Sequence, residues 1–176
     1  MTGNDKPIYA REVLEMVTVG VELCRYLEET EAMEREEFLD TISKLLPLVY
    51  LKGTLLPRYE LMDDAPEDCV TEENYDIVRN NIACIMGDRD DYLDVFVEDM
   101  KYSDTPILCT ISENLADIYQ DLKNFVSAYK LGSEEQMMSA LAVAKENFEL
   151  YWGQKTVNVM RAIHEVKYGE NDIREI

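Results

Sequence analysis

Residues 122–141 read Leu-Lys-Asn-Phe-Val-Ser-Ala-Tyr-Lys-Leu-Gly-Ser-Glu-Glu-Gln-Met-Met-Ser-Ala-Leu, the end of one helix and the start of the next. Leu122, Phe125, Val126 and Tyr129 continue an apolar series that begins at Ile107, Ile111, Leu115 and Ile118. Steps of three and four place such residues on one face only if the chain is helical. Thr105 followed by Pro106 predicts the N-cap and first turn of this helix, and Gly132 predicts its stop. Ser133 and Gln136 have the spacing of a capping box, which opens a long helix reaching about residue 166. Its inner face carries Met137, Leu141, Phe148, Trp152, Val159 and Ile163. With almost no loop between them, the two helices must fold back as an antiparallel hairpin.

Upstream the period stays helical. Tyr9, Val13, Val17, Val21, Cys24 and Leu27 predict an amphipathic helix over about 8–30. Phe38, Ile42, Leu45, Val49 and Leu56 predict a second over about 34–56, kinked or broken at Pro47, which removes a donor and crowds the Ser43 carbonyl. Residues 57–70 lack any period, contain prolines and carry several acids, so they read as a long acidic loop. Thr71 caps a third helix with Tyr75, Val78, Ile82 and Ile85 inward, ended by Gly87. Asp88 then caps a short fourth helix with Leu93, Phe96 and Met100 inside, although residues 93–97 also fit a strand. The helical glycines Gly20, Gly53 and Gly153 point to close helix crossings. The expected architecture is all-α: one domain over 1–176, an antiparallel bundle of five or six helices ending in the long hairpin.

Composition bounds the function. The chain has 176 residues, 37 acidic and 17 basic, for a net charge of −20, and is 47% hydrophobic. That apolar content is too high for a disordered acidic tail, and no apolar run is long enough for a membrane helix. More than half of the net charge lies in residues 58–104, which hold 15 acids and 4 bases. Such a field repels nucleic acid and anionic membranes, and steers in a basic protein partner. The plainer reading is that charge keeps the protein in solution. The opening Met-Thr-Gly-Asn-Asp-Lys-Pro lacks a secretory core, so a cytoplasmic location is expected. Cys24, Cys69, Cys84 and Cys109 form no C-x-x-C pair and read as buried reduced thiols.

Four stretches carry a family resemblance: Phe-Leu-Asp-Thr-Ile-Ser-Lys-Leu-Leu-Pro-Leu-Val-Tyr-Leu-Lys-Gly (38–53), Lys-Tyr-Ser-Asp-Thr-Pro-Ile (101–107), Ser-Glu-Asn-Leu-Ala-Asp-Ile-Tyr-Gln-Asp-Leu-Lys (112–123) and Asn-Phe-Glu-Leu-Tyr-Trp-Gly-Gln-Lys (147–155). Taken together they resemble an uncharacterised bacterial all-helical family, domain of unknown function 5063. The resemblance implies a helical cytosolic bacterial protein. It supplies no activity, cofactor or catalytic residue.

The side chains must therefore speak for themselves. Lys52 and Lys155 fall on apolar stripes, where an ammonium must reach the rim or meet a carboxylate. Asn114, Asp117 and Asp121 share one edge of the helix after residue 105 and can receive either lysine, hold a hard cation such as Mg²⁺, or face water. Glu34, Glu37, Glu60 and Asp63 have the spacing of helical nucleotide pyrophosphohydrolases, but the second pair falls in the loop. His164, the lone histidine, lies opposite its helix's apolar stripe, and neither a serine elbow nor a phosphate loop is present. No cofactor or metal ligand set is nominated. Three readings follow: a non-enzymatic acidic helical module, immunity- or adaptor-like, that binds a basic protein; a small-molecule or Mg-dependent enzyme with a pocket at Lys52, Lys155, Asn114, Asp117 and Asp121; or the same polar groups holding the bundle in register. The oligomeric state is open.

Overall fold

The computed structural model describes residues 6–61, 64–94, 101 and 105–169. A 3-10 turn (Pro7–Tyr9) leads into α1 (Arg11–Glu28) and then α2 (Arg35–Leu55). The described residues of the expected 57–70 loop follow without helix or strand, and α3 spans Glu72–Met86. Two short strands, β1 (Asp91–Leu93) and β2 (Leu108–Thr110), precede α4 (Ile111–Leu131) and α5 (Glu134–Asn147). A π-helical segment (Phe148–Trp152) joins α5 to α6 (Gly153–Tyr168), so the final rod runs 35 residues without a break. The protein is a mostly helical single domain carrying one small two-stranded antiparallel ribbon. Among the described residues no helix is long and apolar enough to cross a membrane.

The hairpin forms as its caps dictate. Ser133 Oγ accepts from Gln136 N–H at 3.4 Å, and Gln136 Oε1 accepts from Ser133 N–H at 3.0 Å. α4 is central, packing against α1, α3, α5 and α6. Its residues Ile111, Leu115, Ile118, Leu122, Phe125, Val126 and Tyr129 are all buried. Thr71 caps α3, and Gly87 ends it with φ +53°, where a Cβ would also press on Arg35 Nη2 at 2.9 Å.

Four expectations need correction. Of the kink or break expected at Pro47, the break is excluded, since α2 runs through it as one helix. The ring lies on the exposed side of the helix, where water can satisfy the bond it removes. No α-helix starts at Asp88 among the described residues 89–94; its carboxylate takes Arg35 Nη2 at 3.1 Å instead of a backbone cap. The chain makes a 3-10 turn (Gly87–Arg89) and enters β1, so Leu93 lies in a strand, 50% exposed; Phe96 and Met100 lie outside the described residues. The cap at Thr105–Pro106 is likewise displaced. Residues 108–110 pair with β1 in the register Asp91↔Thr110, Tyr92↔Cys109 and Leu93↔Leu108. α4 therefore starts at Ile111, with Thr110 Oγ1 accepting from Glu113 N–H at 3.2 Å, and Ile107 stays outside it. Finally, only Cys24 is a buried thiol, pushed up to about 12 by burial; Cys69 and Cys84 are exposed and Cys109 is half-buried. Cys84 sits two residues past Ile82 on α3, on the helix's outer face.

α2 crosses the final rod closely at Gly53. A Cβ on Gly53 would lie 2.7 Å from Phe148 Cε2 and 2.8 Å from Trp152 Cη2. Gly20 is more loosely placed, its nearest neighbour being Val126 Cγ1 at 3.0 Å. Overpacking costs about 1–3 kcal/mol, whereas replacing glycine by alanine in a helix gains up to about 1 kcal/mol. Gly53→Ala is therefore expected to lose about 2 kcal/mol in urea denaturation, and Gly20→Ala to stay within about 1 kcal/mol of the parent. Equal stability of the two variants contradicts this account of the crossing.

Candidate functional site

The polar residues of α4 and α6 meet in a seam that α3 and the ribbon border. From α6, Lys155 Nζ donates to Asp117 Oδ2 of α4 at 2.6 Å. From α3, the Tyr75 hydroxyl donates to the other oxygen, Oδ1, at 2.7 Å. Both oxygens of Asp117 are thus engaged, by an ammonium and a phenol. Burial, and then this bond to a carboxylate, hold the Tyr75 hydroxyl well above its ordinary range.

One turn along α4, Asp121 Oδ1 accepts from Asn147 Nδ2 at 3.0 Å. Desolvation raises its pKa, and the Asn147 bond and the Lys155 charge only partly offset that rise. One turn back, Asn114 Nδ2 donates to the Tyr92 hydroxyl of β1. Tyr92 is pushed up to about 12, chiefly by burial. Arg161 of α6 lies 5.9 Å above its ring and donates to Leu93 O at 2.6 Å. Asn158, also on α6, donates to Asp94 Oδ1 at 3.0 Å. Asp90, 8% exposed, accepts from both Ser112 N–H (2.8 Å) and Ser112 Oγ (2.6 Å), which fastens the ribbon to the first turn of α4.

Of the five nominated residues, Lys155 and Asp117 meet directly, while Asn114 and Asp121 occupy the adjoining turns of the same seam. Lys52 goes elsewhere. Its Nζ donates to Glu15 Oε2 of α1 at 2.6 Å, and Arg11 Nε holds the other oxygen of Glu15 at 2.7 Å. These bonds keep the Glu15 carboxyl below its usual range. The pair borders a hollow of about 410 Å³ between α1 and α2, lined by Tyr9, Leu14, Thr18 and Val19 among others. His164 is exposed as expected, its ring 4.8 Å from that of Tyr168. Of the acid pairs with pyrophosphohydrolase spacing, Asp63 lies outside the described residues. Among the described residues no group of three His, Cys, Asp or Glu could hold a metal ion.

Three further features escaped the sequence reading. Lys145 is 8% exposed and donates to the C-terminal carbonyls of α2, Gly53 O at 3.3 Å and Thr54 O at 3.4 Å. The signal was present, since Lys145 falls between Leu141 and Phe148 on the apolar stripe by the same rule that singled out Lys155. Glu28, at the end of α1, receives the Tyr119 hydroxyl at 2.7 Å and pairs with Lys123 at 2.6 Å. Asn124 accepts from the N–H groups of Cys69 (2.8 Å) and Val70 (3.1 Å), so α4 holds the loop end from which α3 starts. No local pattern announces these last two.

Residues 7–169 match the family described as Domain of unknown function (DUF5063). The chain belongs to this family. A solved relative is protein BF1032 from Bacteroides fragilis, a structural-genomics crystal structure, with 46% identity and a TM-score of 0.85. The match covers 95% of this chain and 99% of that one. No curated protein matches. Three of the stretches that resemble the family fall on the contacts just described. Residues 38–53 and 147–155 meet where Gly53 faces Phe148 and Trp152, and residues 112–123 carry Ser112, Asn114, Asp117, Tyr119 and Asp121. The fourth, 101–107, contains residues 102–104, which lie outside the described residues.

Asp121 and Asp117 should respond oppositely to neutralisation. The raised pKa of Asp121 means that the folded state holds its proton more tightly than the unfolded chain. Stability is therefore lost as pH rises from the unfolded carboxyl value through the folded one. Asp121→Asn removes that loss, so its melting temperature at pH 7 should equal or exceed the parent's, and the gain should vanish near pH 4. Asp117→Asn leaves Lys155 without its counter-charge and should cost about 1 kcal/mol at pH 7. Thermal melts across this pH range check both; a large loss from Asp121→Asn at pH 7 contradicts the assignment.

Proposed function

We propose that this protein is a cytoplasmic, non-enzymatic helical module, immunity- or adaptor-like, that binds a basic protein partner through the acidic surface running from the 57–70 loop onto α3. The observation that carries the reading is a division among the carboxylates. Those in the seam, Asp117, Asp121 and Asp94, have fixed partners inside the fold. Among the described residues, Asp64, Glu67, Glu72 and Glu73 are exposed and make no ion pair. The two bases nearest them in sequence are already engaged, Arg58 with Glu149 at 2.6 Å and Arg79 with Asp76 at 2.9 Å. Like charges left uncompensated on one face raise the local potential and speed the approach of a cationic partner. Asp90 and Asp94 belong to the same acidic stretch but serve the ribbon, so the interaction face lies with the loop and α3.

The test is affinity capture from extracts of the native host, comparing the parent with the combined variant Asp64→Lys, Glu67→Lys, Glu72→Lys, Glu73→Lys. Basic proteins retained by the parent should elute between about 0.05 and about 0.3 M salt, and should fall at least tenfold with the variant. Equal recovery of the same proteins by both chains sinks the proposal.

A second reading keeps Lys155, Asn114, Asp117 and Asp121 as a small-molecule or Mg²⁺ site. What favours it is Asp121, a carboxyl with a raised pKa beside a lysine, a combination common in functional sites. A thermal-shift screen with Mg²⁺, Mn²⁺ and nucleotides tests it, since ligand at about 100 times its dissociation constant adds about 2.7 kcal/mol. Flat melting curves throughout count against it.

A further inference from the structure

Leu48, Leu51 and Leu55 stand 40%, 51% and 47% exposed along one edge of α2. Their separations of three and four are those of the a and d positions in a seam where facing helices interlock. Across the Lys52–Glu15 pair, Leu14 of α1 is 44% exposed beside the α1–α2 hollow. Four large apolar side chains therefore gather on one side of a chain that is otherwise strongly acidic.

The same region is where the negative charge disappears. Positions 41–59 contain no Asp or Glu, although acids make up 37 of the 176 residues. Nor is this face left strongly positive. Lys44 is held by Asp40 at 2.8 Å, Lys52 by Glu15 at 2.6 Å and Arg58 by Glu149 at 2.6 Å. A basic partner gains nothing from such a face and is drawn to the acidic one. For a copy of the chain the balance is reversed. Two molecules of net charge −20 repel each other wherever carboxylates meet, and a neutral apolar strip is where they can touch without that penalty.

We propose that α2 is the interface of a symmetric homodimer, in which Leu48, Leu51 and Leu55 of one copy pack against the same three residues of another. A two-fold axis makes one patch serve both sides, so a short self-complementary strip suffices to define the contact. From Leu48 to Leu55 the strip is about 12 Å long. Three half-exposed leucines on each side bury less than specific interfaces usually do, which implies a weak, reversible, concentration-dependent dimer.

Salt gives the proposal a distinctive signature. Screening weakens the repulsion between two acidic copies, so self-association strengthens as salt rises, opposite to capture of a basic partner. Sedimentation equilibrium on the full chain, from about 5 to about 500 µM, should show the mass moving from monomer to dimer. The dissociation constant should fall severalfold between about 0.05 and about 0.5 M NaCl. The double variant Leu51→Glu, Leu55→Glu should bind itself at least tenfold more weakly while keeping its helical circular dichroism and melting temperature. Leu48→Lys, a milder single change, should weaken it in the same direction. Leu131→Glu, at a residue 85% exposed beside the α4–α5 turn, should leave the dimer intact. A monomer at the highest concentration in high salt overturns the proposal, as does a dimer that survives Leu51→Glu, Leu55→Glu.

Discussion

Gly53 has no side chain, and the rings of Phe148 and Trp152 occupy the volume where one would stand. The π-helical segment Phe148–Trp152 lies at this crossing. Within it the Gly153 N–H reaches back to Phe148 O, and the Trp152 indole finds Ala144 O at 3.1 Å. A π turn adds one residue to the helical repeat and so rotates everything beyond it relative to an unbroken α-helix. Both aromatic rings can then face α2 while α6 turns Lys155 and Asn158 towards α4 and the ribbon. The position of the polar seam thus depends on a steric fit made on the other side of the rod.

The same crossing explains the buried Lys145. It lies one turn before Phe148, its ammonium 5.2 Å from that ring, where carbonyls of the last turn of α2 face it, Gly53 O also accepting from Leu56 N–H at 3.3 Å. A cation at a helix C-terminus meets both those carbonyls and the negative end of the helix dipole. Lys145, Lys52 and Lys155 are each drawn towards an apolar stripe, and each is satisfied differently: by helix-end carbonyls together with Glu149 at 3.8 Å, by Glu15 of α1, and by Asp117 of α4. With few bases to spare, the fold uses several of them internally, and the carboxylates left over accumulate outside.

Most of the bundle was legible because its signals are local. Periodicity located α1, α2, α3, α4 and the final rod. The Thr71 cap, the Ser133–Gln136 box and the stops at Gly87 and Gly132 closed their ends to within a few residues. The ribbon was not legible in the same way. Leu108–Thr110 continues into Ile111 with apolar spacing that suits either structure, and what makes it a strand is pairing with residues 91–93, fifteen positions away in register at the nearest. Pairing across such a distance leaves no mark on a hydrophobic period. At Pro47 the local rule allowed a kink or a break; the break is excluded, and the ring's exposure to water, which lets the helix run on, was invisible in the sequence.

The candidate site shows how far a rule about burial can reach. That an ammonium on a greasy face must be neutralised follows from desolvation alone, and it holds for Lys52 as for Lys155. Which carboxylate does the neutralising is a matter of helix placement. α1 and α4 both pack on the interior, and both offer acids at the edge of an apolar stripe. Lys52 turns to α1 because α2 runs beside α1, whereas α6 runs beside α4. Chemistry therefore determines that a partner exists, and topology determines which one. For this reason the polar residues that one stripe rule singles out divide here between two places: the edge of an open hollow beside α1, where Glu15 pairs with Lys52, and a half-buried seam between α4 and α6.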